Sequence, residues 1–160
     1  TETYGISSFT YRSRRPFDAD AFWAFVNDED IWTDVLRAKG FFWVAADDQV
    51  AYELAQAGGV ITAVPAGSWW AAIPQEHWNH PDGERPDERP DWDEQFGDRF
   101  QQLVFIGQGM DEAGLRARLD ACLLDEAALA NPNDWGAQPN PFPPLQLQEL
   151  EDEDSTPSQA

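Results

Sequence analysis

The stretch Leu103-Val104-Phe105-Ile106-Gly107 decides the fold of this chain. Four consecutive large apolar residues between turn formers are typical of a strand that is covered on both faces and lies at the centre of a sheet. Asp111 follows as a helix N-cap. Behind it, Leu115, Leu119 and either Cys122 or Leu123 recur at helical spacing. The sequence therefore predicts a central strand followed by a helix that packs back on the sheet.

The residues upstream predict a first strand and a first helix. Residues 6–11 alternate between polar and apolar side chains, as in a strand with one buried face. Pro16 ends this strand, and Asp18 starts a helix whose Phe22 and Val26 form an apolar pair one turn apart.

The middle of the chain predicts further strands. Residues 41–45 are apolar on both faces, and residues 50–57 and 60–64 form a predicted hairpin around Gly58-Gly59. Ala66-Gly67 then predicts a turn. The predicted fold is α+β, with a largely antiparallel sheet of four to five strands and helices packed on one face, in the order β-α-β-β-β-β-α.

Two segments differ from the rest of the predicted domain, which covers residues 1–130. Residues 73–98 are rich in proline and acidic residues and predict a long surface insertion without regular structure. Residues 131–160 are rich in proline and then in acidic residues, which predicts a mostly extended or disordered tail.

The charge and the cysteine content limit the function classes. The formal net charge is -20, so a phosphate backbone or an anionic membrane would be repelled, and we expect neither nucleic acid nor a membrane as a partner. A single cysteine cannot form an internal disulfide, and no apolar run has the length of a membrane helix or signal peptide. We therefore expect a cytoplasmic protein.

Six blocks of the sequence, at residues 9–17, 35–43, 97–99, 102–107, 110–111 and 119–124, occur in the order found in one known family. They resemble the carboxy-terminal domain of CobW-type GTP-dependent metallochaperones. The resemblance implies that the chain, which opens on Thr1, is one part of a longer polypeptide.

The resemblance implies a noncatalytic regulatory and partner-binding domain, involved in zinc or cobalt homeostasis or in cobalamin-related metal insertion. Its implied partners are the N-terminal GTPase domain of the same polypeptide and a metalloprotein client. GTP and magnesium would bind only in that GTPase domain, because no stretch of this chain matches Gly-x-x-x-x-Gly-Lys-Ser/Thr. The chain itself is therefore predicted not to be an enzyme.

We predict the residues that contact a partner or the GTPase domain from their charge and from their positions in the blocks that resemble the family. Arginine suits such contacts because its planar guanidinium pairs with carboxylates, although local salt bridges within this acidic chain would use the same side chains. The predicted contact residues are Arg12, Arg14, Arg15, Arg37, Lys39, Asp98 and Arg99.

A second group of residues could bind a metal ion. His77 and His80 are the only histidines, and with Glu76 or Asp82 they form a possible zinc or cobalt site. The alternative function is thus a free-standing acidic protein that carries divalent metal. Adventitious or no binding remains open, because two histidines and a carboxylate in a polar loop are a common combination.

Overall fold

The structure is a computed structural model that describes residues 5–79 and 83–145. Its strands form one antiparallel sheet in the order β1-β5-β2-β3-β4, so the predicted α+β fold is confirmed. The strand predicted to be central, β5, lies between β1 and β2, and β2 occupies the middle of the sheet. The strands are β1 (Ile6–Ser13), β2 (Val35–Val44), β3 (Asp47–Ala57), β4 (Val60–Ser68) and β5 (Gln101–Gln108).

Aspartates begin each of the four α-helices in the described residues. Asp18, Asp28, Asp111 and Asp125 each accept a backbone N–H in the first turn, which satisfies a donor that has no partner within the helix. The predicted caps Asp18 and Asp111 are confirmed. None of the helices in the described ranges is long and apolar enough to cross a membrane. The helices are α1 (Ala19–Val26), α2 (Glu29–Trp32), α3 (Glu112–Cys122) and α4 (Glu126–Leu129).

The main core lies between one face of the sheet and helices α1 and α3. Alternate residues of each strand point into it, as the alternation of residues 6–11 predicts for Phe9 and Tyr11. Phe22 of α1 stacks on Phe17 at 4.2 Å and contacts Phe42 of β2 at 4.7 Å. Aromatic rings therefore fill most of the space between the layers.

In the part of the chain that the structure describes, no helix packs over β5 on the other face of the sheet. Residues of this strand alternate between buried and partly or fully exposed, and Ile106 is 36% exposed. The expectation that both faces of residues 103–106 are covered is wrong for Val104 and Ile106. Phe41 of the neighbouring strand is likewise 41% exposed, although residues 41–45 were expected to be covered on both faces.

The predicted hairpin of β3 and β4 is confirmed. Ala57 pairs with Val60 across the turn, where Gly58 has a positive φ of 61°. The turn predicted at Ala66-Gly67 is wrong, because β4 continues to Ser68. Ala66 is instead the extra residue of a β-bulge, since Ala51 pairs with Gly67 and Tyr52 with Pro65.

The insertion packs on the end of the sheet through aromatic side chains. It contains two short 3-10 turns, Gln75–His77 and Pro86–Glu88, where no regular structure was expected. Trp78 and Trp92 contact each other edge to face at 5.8 Å. Phe96 packs against Trp43 in a second core, which comprises Trp43, Ala45, Trp69, Phe96, Leu124 and Trp135.

Residues 131–145, the described part of the predicted tail, pack on the domain. Trp135 is buried in the second core, and its indole N–H donates to the carbonyl of Ala128. Phe142 is buried in the main core, 5.2 Å from the ring of Phe42. The expectation of an extended or disordered tail is therefore wrong for residues 131–145, because burial of two large aromatic side chains stabilises this segment, and Trp135 lies in a 3-10 helix, Pro132–Ala137. Residues 146–160 lie outside the described residues.

Candidate docking surface

The open face of the sheet is a flat surface built from residues of all five strands. Residues directly opposite each other in an antiparallel sheet share a face, so the strand register defines rows across it. The pairs Thr10–Val104, Val104–Lys39 and Lys39–Ala55 belong to one row, which ends at Thr62. Two further rows flank it, comprising Ser8, Ile106, Arg37, Ala57 and Val60, and Arg12, Gln102, Phe41, Glu53 and Val64.

Three of the predicted contact residues meet on this open face. Arg12, Arg37 and Lys39 are exposed and lie in adjacent rows. Arg12 donates to the side-chain oxygen of Gln102 at 3.2 Å, and Lys39 lies 3.7 Å from the carboxylate of Glu53. Glu53 is the single acid in the three rows, so the open face is locally cationic in a chain with 30 acidic and 10 basic residues.

Exposed apolar side chains surround these cations. The most exposed are Val60 at 67% and Val64 at 48%. A surface that combines apolar area with positive charge is suited to a partner with apolar and acidic side chains. The exposed large apolar residues of the open face are Ile6, Phe41, Val60, Val64 and Ile106.

Arg14 and Arg15 have different roles from the cations of the open face. Arg14 donates to the backbone carbonyls of Gly97 at 3.0 Å and Arg99 at 3.1 Å, and also to that of Asp91. Arg15 reaches the carbonyl of Leu124 at 3.5 Å. Both side chains are half-buried, and Arg14 ties the insertion to the end of β1.

Asp98 and Arg99 also hold the fold together. The Asp98 carboxylate accepts the backbone N–H groups of Trp70 at 2.8 Å and Ala71 at 3.0 Å. Arg99 donates to the carbonyl of Asp48 at 2.7 Å, and its guanidinium lies 5.6 Å from the ring of Trp43. The seven predicted contact residues therefore separate into three on the open face and four that connect loops.

A cleft joins the open face to the insertion. It has a volume of about 310 Å³ and lies between the end of β1 and the start of β5. Arg12 and Gln102 line it from the open face, while Arg14 and Asp91 line the side of the insertion. This cleft extends the open face with a partly apolar pocket, to which Phe100 contributes a ring.

The predicted metal residues are only partly described. His77 and Glu76 are exposed in the turn Gln75–His77, whereas His80 and Asp82 lie outside the described residues. Within residues 5–79 and 83–145 no group of three or more metal-binding side chains occurs. The metal site and the metal-carrier alternative therefore stay predictions.

Cys122 is a core residue, as its apolar spacing predicts. Its thiol is buried beside α1 and donates to the carbonyls of Arg118 at 3.3 Å and Ala21 at 3.5 Å. Burial raises the pKa of this thiol to about 11, so it is protonated at neutral pH. A protonated, buried thiol is neither a good nucleophile nor a good metal ligand.

The exposed apolar side chains of the open face and the role of Gln101 were not foreseen from the sequence. Residues 60–64 carry no polar/apolar alternation that would mark an outward face, because all of them except Thr62 are apolar. Gln101 likewise has no local signal. Its amide is fully buried and bonds only to backbone groups of Trp43 and Arg15.

The family comparison matches residues 6–123 to the Cobalamin synthesis protein cobW C-terminal domain. The chain is 34% identical over 131 residues to the Zinc-regulated GTPase metalloprotein activator 1 of Dictyostelium discoideum, covering 81% of this chain and 27% of that protein. It is 33% identical over 142 residues to Zinc chaperone Rv0106 of Mycobacterium tuberculosis, covering 86% and 34%. The chain thus spans about a third of these relatives.

Two solved structures share the fold. The Zn(II)-bound YjiA GTPase from E. coli superposes with a TM-score of 0.52 at 18% identity, covering 75% of this chain and 30% of that chain. A Zn(II)-bound triple mutant of YjiA superposes with a TM-score of 0.54 at 16% identity and the same coverage. In both cases, the matched part is less than a third of the larger protein.

Proposed function

The chain belongs to the CobW C-terminal domain family, and from this premise we propose that it is the noncatalytic docking and regulatory domain of a GTP-dependent zinc metallochaperone. The proposed partner of the open face is the GTPase domain of the same polypeptide. In this proposal GTP and magnesium act in that domain, and zinc is cargo that passes to a metalloprotein client. The family description, which names cobalamin synthesis, suggests cobalt instead of zinc as the delivered metal.

One observation carries the proposal: the open face gathers Arg12, Arg37 and Lys39 beside exposed apolar side chains. In a chain of net charge -20, long-range forces repel acidic partners, so a local cationic surface confers selectivity for a particular docking orientation. Glu53, the single acid of the three rows, pairs with Lys39 in an exposed contact that costs little to break, and Asp91 lines the cleft beside Arg12. Arg12 and Arg37 can therefore bind carboxylates of a partner.

Coupling to nucleotide state is the regulatory part of the proposal. A domain that binds one nucleotide state of the GTPase more tightly than the other shifts the balance between those states by the difference in binding free energy. Binding of a client to this domain would be coupled to zinc transfer by the same kind of difference in binding free energy. We place this activity in the cytoplasm, in keeping with a chain that has a single, buried cysteine.

We expect the double variant Arg37→Gln/Lys39→Gln to bind the GTPase part of the full-length protein more weakly. Two exposed charge contacts contribute about 1–2 kcal/mol together, which corresponds to a loss of about 5- to 30-fold in affinity. Calorimetric titration with the separately produced GTPase part, in the presence of GTP and magnesium, measures this loss.

The matched control is Arg116→Gln/Arg118→Gln, which removes the same number of charges from α3. These arginines pair with Glu112 and Asp28 on the helical side of the domain. The control should change the affinity by less than about twofold, because neither arginine belongs to the rows of the open face that would contact the GTPase domain. Equal losses in the two double variants would mean that overall charge, rather than the open face, determines binding, and would refute the proposal.

A further inference from the structure

The edge strand β4 differs from the rest of this highly charged chain. None of its nine residues is charged, and the sequence contains no charged residue from Leu54 to Gln75. Proteins usually protect a sheet edge with charged side chains, bulges or covering segments, because an exposed edge pairs readily with another strand. Pro65 and the bulge at Ala66 protect only the end of β4, so the uncharged edge of residues 60–64 is available for pairing.

The opposite edge of the sheet is protected in the usual way. Arg116 of α3 reaches over β1 and donates to the carbonyl of Thr10 at 3.2 Å, while its guanidinium lies 4.9 Å from the ring of Phe9. In the described residues, β4 has no comparable side-chain cover along its outer edge.

The hairpin geometry identifies the backbone groups that point outward. Ala57 and Val60 flank a two-residue turn and form a hydrogen-bonded pair, so Thr62 and Val64 also bond to β3. The N–H and C=O groups of Ile61 and Ala63 then point away from the sheet. Pro65 follows at the next outward position, where its missing N–H costs nothing, and the bulge at Ala66 ends the regular edge.

We propose that β4 pairs with β4 of a second copy of this chain, antiparallel and about a two-fold axis at Thr62. This register places Ile61 opposite Ala63 of the other copy, so every outward N–H of these residues meets a carbonyl and Pro65 is not required to donate. The two sheets then form one continuous sheet. The interface is isologous, which is the usual form of a two-fold dimer.

The same register makes the side chains complementary. Val60 lies opposite Val64 of the other copy in a non-hydrogen-bonded pair, where Cβ atoms approach to about 4.5–5.5 Å. Both residues are exposed, at 67% and 48%, and each covers the other on the open face. No like charges meet, because the strand has none. This interface goes beyond the proposed function and does not depend on it.

The expected association is weak and favoured by salt. One edge strand buries less area than the roughly 1,000 Å² of a stable interface, and two chains of charge -20 repel at low ionic strength. Sedimentation velocity of the 160-residue chain should show a shift from monomer to dimer between about 5 and 500 μM at about 0.5 M NaCl, and less dimer at low salt. A monomer at every concentration and at both salt levels would overturn the proposal.

Cross-linking tests the register. Thr62→Cys places two thiols across the proposed axis, where a disulfide should form on mild oxidation. The matched control is Thr10→Cys, which lies in the same row of the open face but on the protected edge β1. The native thiol of Cys122 is buried in both variants. A dimer that forms without faster cross-linking of Thr62→Cys than of Thr10→Cys would also refute β4 pairing.

Two edge variants separate pairing from folding. Ala63→Pro removes an outward N–H at a position equivalent to that of Pro65, so the hairpin should persist while dimer formation is lost. Val64→Lys, at an exposed site opposite Glu53 of the same chain, should likewise give a folded monomer. The double variant Val60→Glu/Val64→Lys should restore the dimer by placing opposite charges across the axis. Unchanged association of Val64→Lys, or no rescue in the double variant, would contradict the register.

Discussion

Gly40→Ala should destabilise the domain by at least about 3 kcal/mol, because the new methyl group would collide with backbone rather than with a side chain. A Cβ at Gly40 would lie 1.9 Å from the carbonyl oxygen of Gln102 and 2.8 Å from the Cα of Leu103. These atoms belong to β5, so the collision can be relieved only by separating β2 from β5 in the middle of the sheet. Urea denaturation measures the loss.

Gly67→Ala is the matched control, since Gly67 is also a strand glycine but has open space around its Cβ position. Its stability should stay within about 1 kcal/mol of the parent chain, because an added methyl group there meets nothing and reduces the freedom of the unfolded chain. If Gly40→Ala were as stable as Gly67→Ala, the close approach of β2 and β5 described here would be wrong.

Gln101→Leu should cost about 2–4 kcal/mol, although it replaces a buried polar side chain with an apolar one of similar size. The Gln101 oxygen accepts the backbone N–H of Trp43 at 2.8 Å, and its amide nitrogen donates to the carbonyls of Trp43 at 2.8 Å and Arg15 at 3.0 Å. Leucine leaves these groups buried without that partner. Thermal and urea denaturation would show a lower stability.

Gln102→Leu provides the comparison for this substitution. Gln102 is the next residue of β5, lies on the open face and bonds to the exposed side chain of Arg12. Its replacement should change the stability by about 0.5 kcal/mol or less, as for other surface substitutions. Similar stabilities for Gln101→Leu and Gln102→Leu would show that the buried amide does not hold the end of β2.

The strand order along the chain and the helix starts could be predicted because they depend on local signals. Asp18 and Asp111 precede apolar residues at helical spacing, and Gly58-Gly59 separates two runs of strand type. These signals come from residues within a few positions of one another, so tertiary contacts do not alter the local structure that they predict. The bulge at Ala66 has no such local signal, which explains why β4 was expected to end early.

The open face could not be recognised from the apolar run of β5. Leu103 and Phe105 face the core, whereas Val104 and Ile106 face outward, and all four residues look alike in the sequence. Continuous apolar character predicts coverage on both faces but does not say what provides it. If the open face docks a partner, as proposed, the coverage comes from outside this chain.

The sequence also did not show which of the predicted contact residues lie on the open face and which bind other parts of the fold. Arg12 and Arg14 are two residues apart, yet Arg12 lies on the open face and Arg14 binds carbonyls of the insertion. The difference arises because β1 ends at Ser13 and the chain then leaves the sheet. The backbone carbonyls that accept from Arg14 belong to residues 77 or more positions away, and only the tertiary structure reveals them.

NMR of the methyl-labelled 160-residue chain, titrated with the GTPase part of the full-length protein, tests most directly whether the open face docks that domain. We expect the methyl signals of Val104 and Ile106, which lie away from the β4 edge, to shift or broaden during the titration. Leu115 and Leu119 of α3, in the core beneath the other face, should remain unchanged. Changes confined to α1, α3 or the insertion would contradict the proposed docking surface.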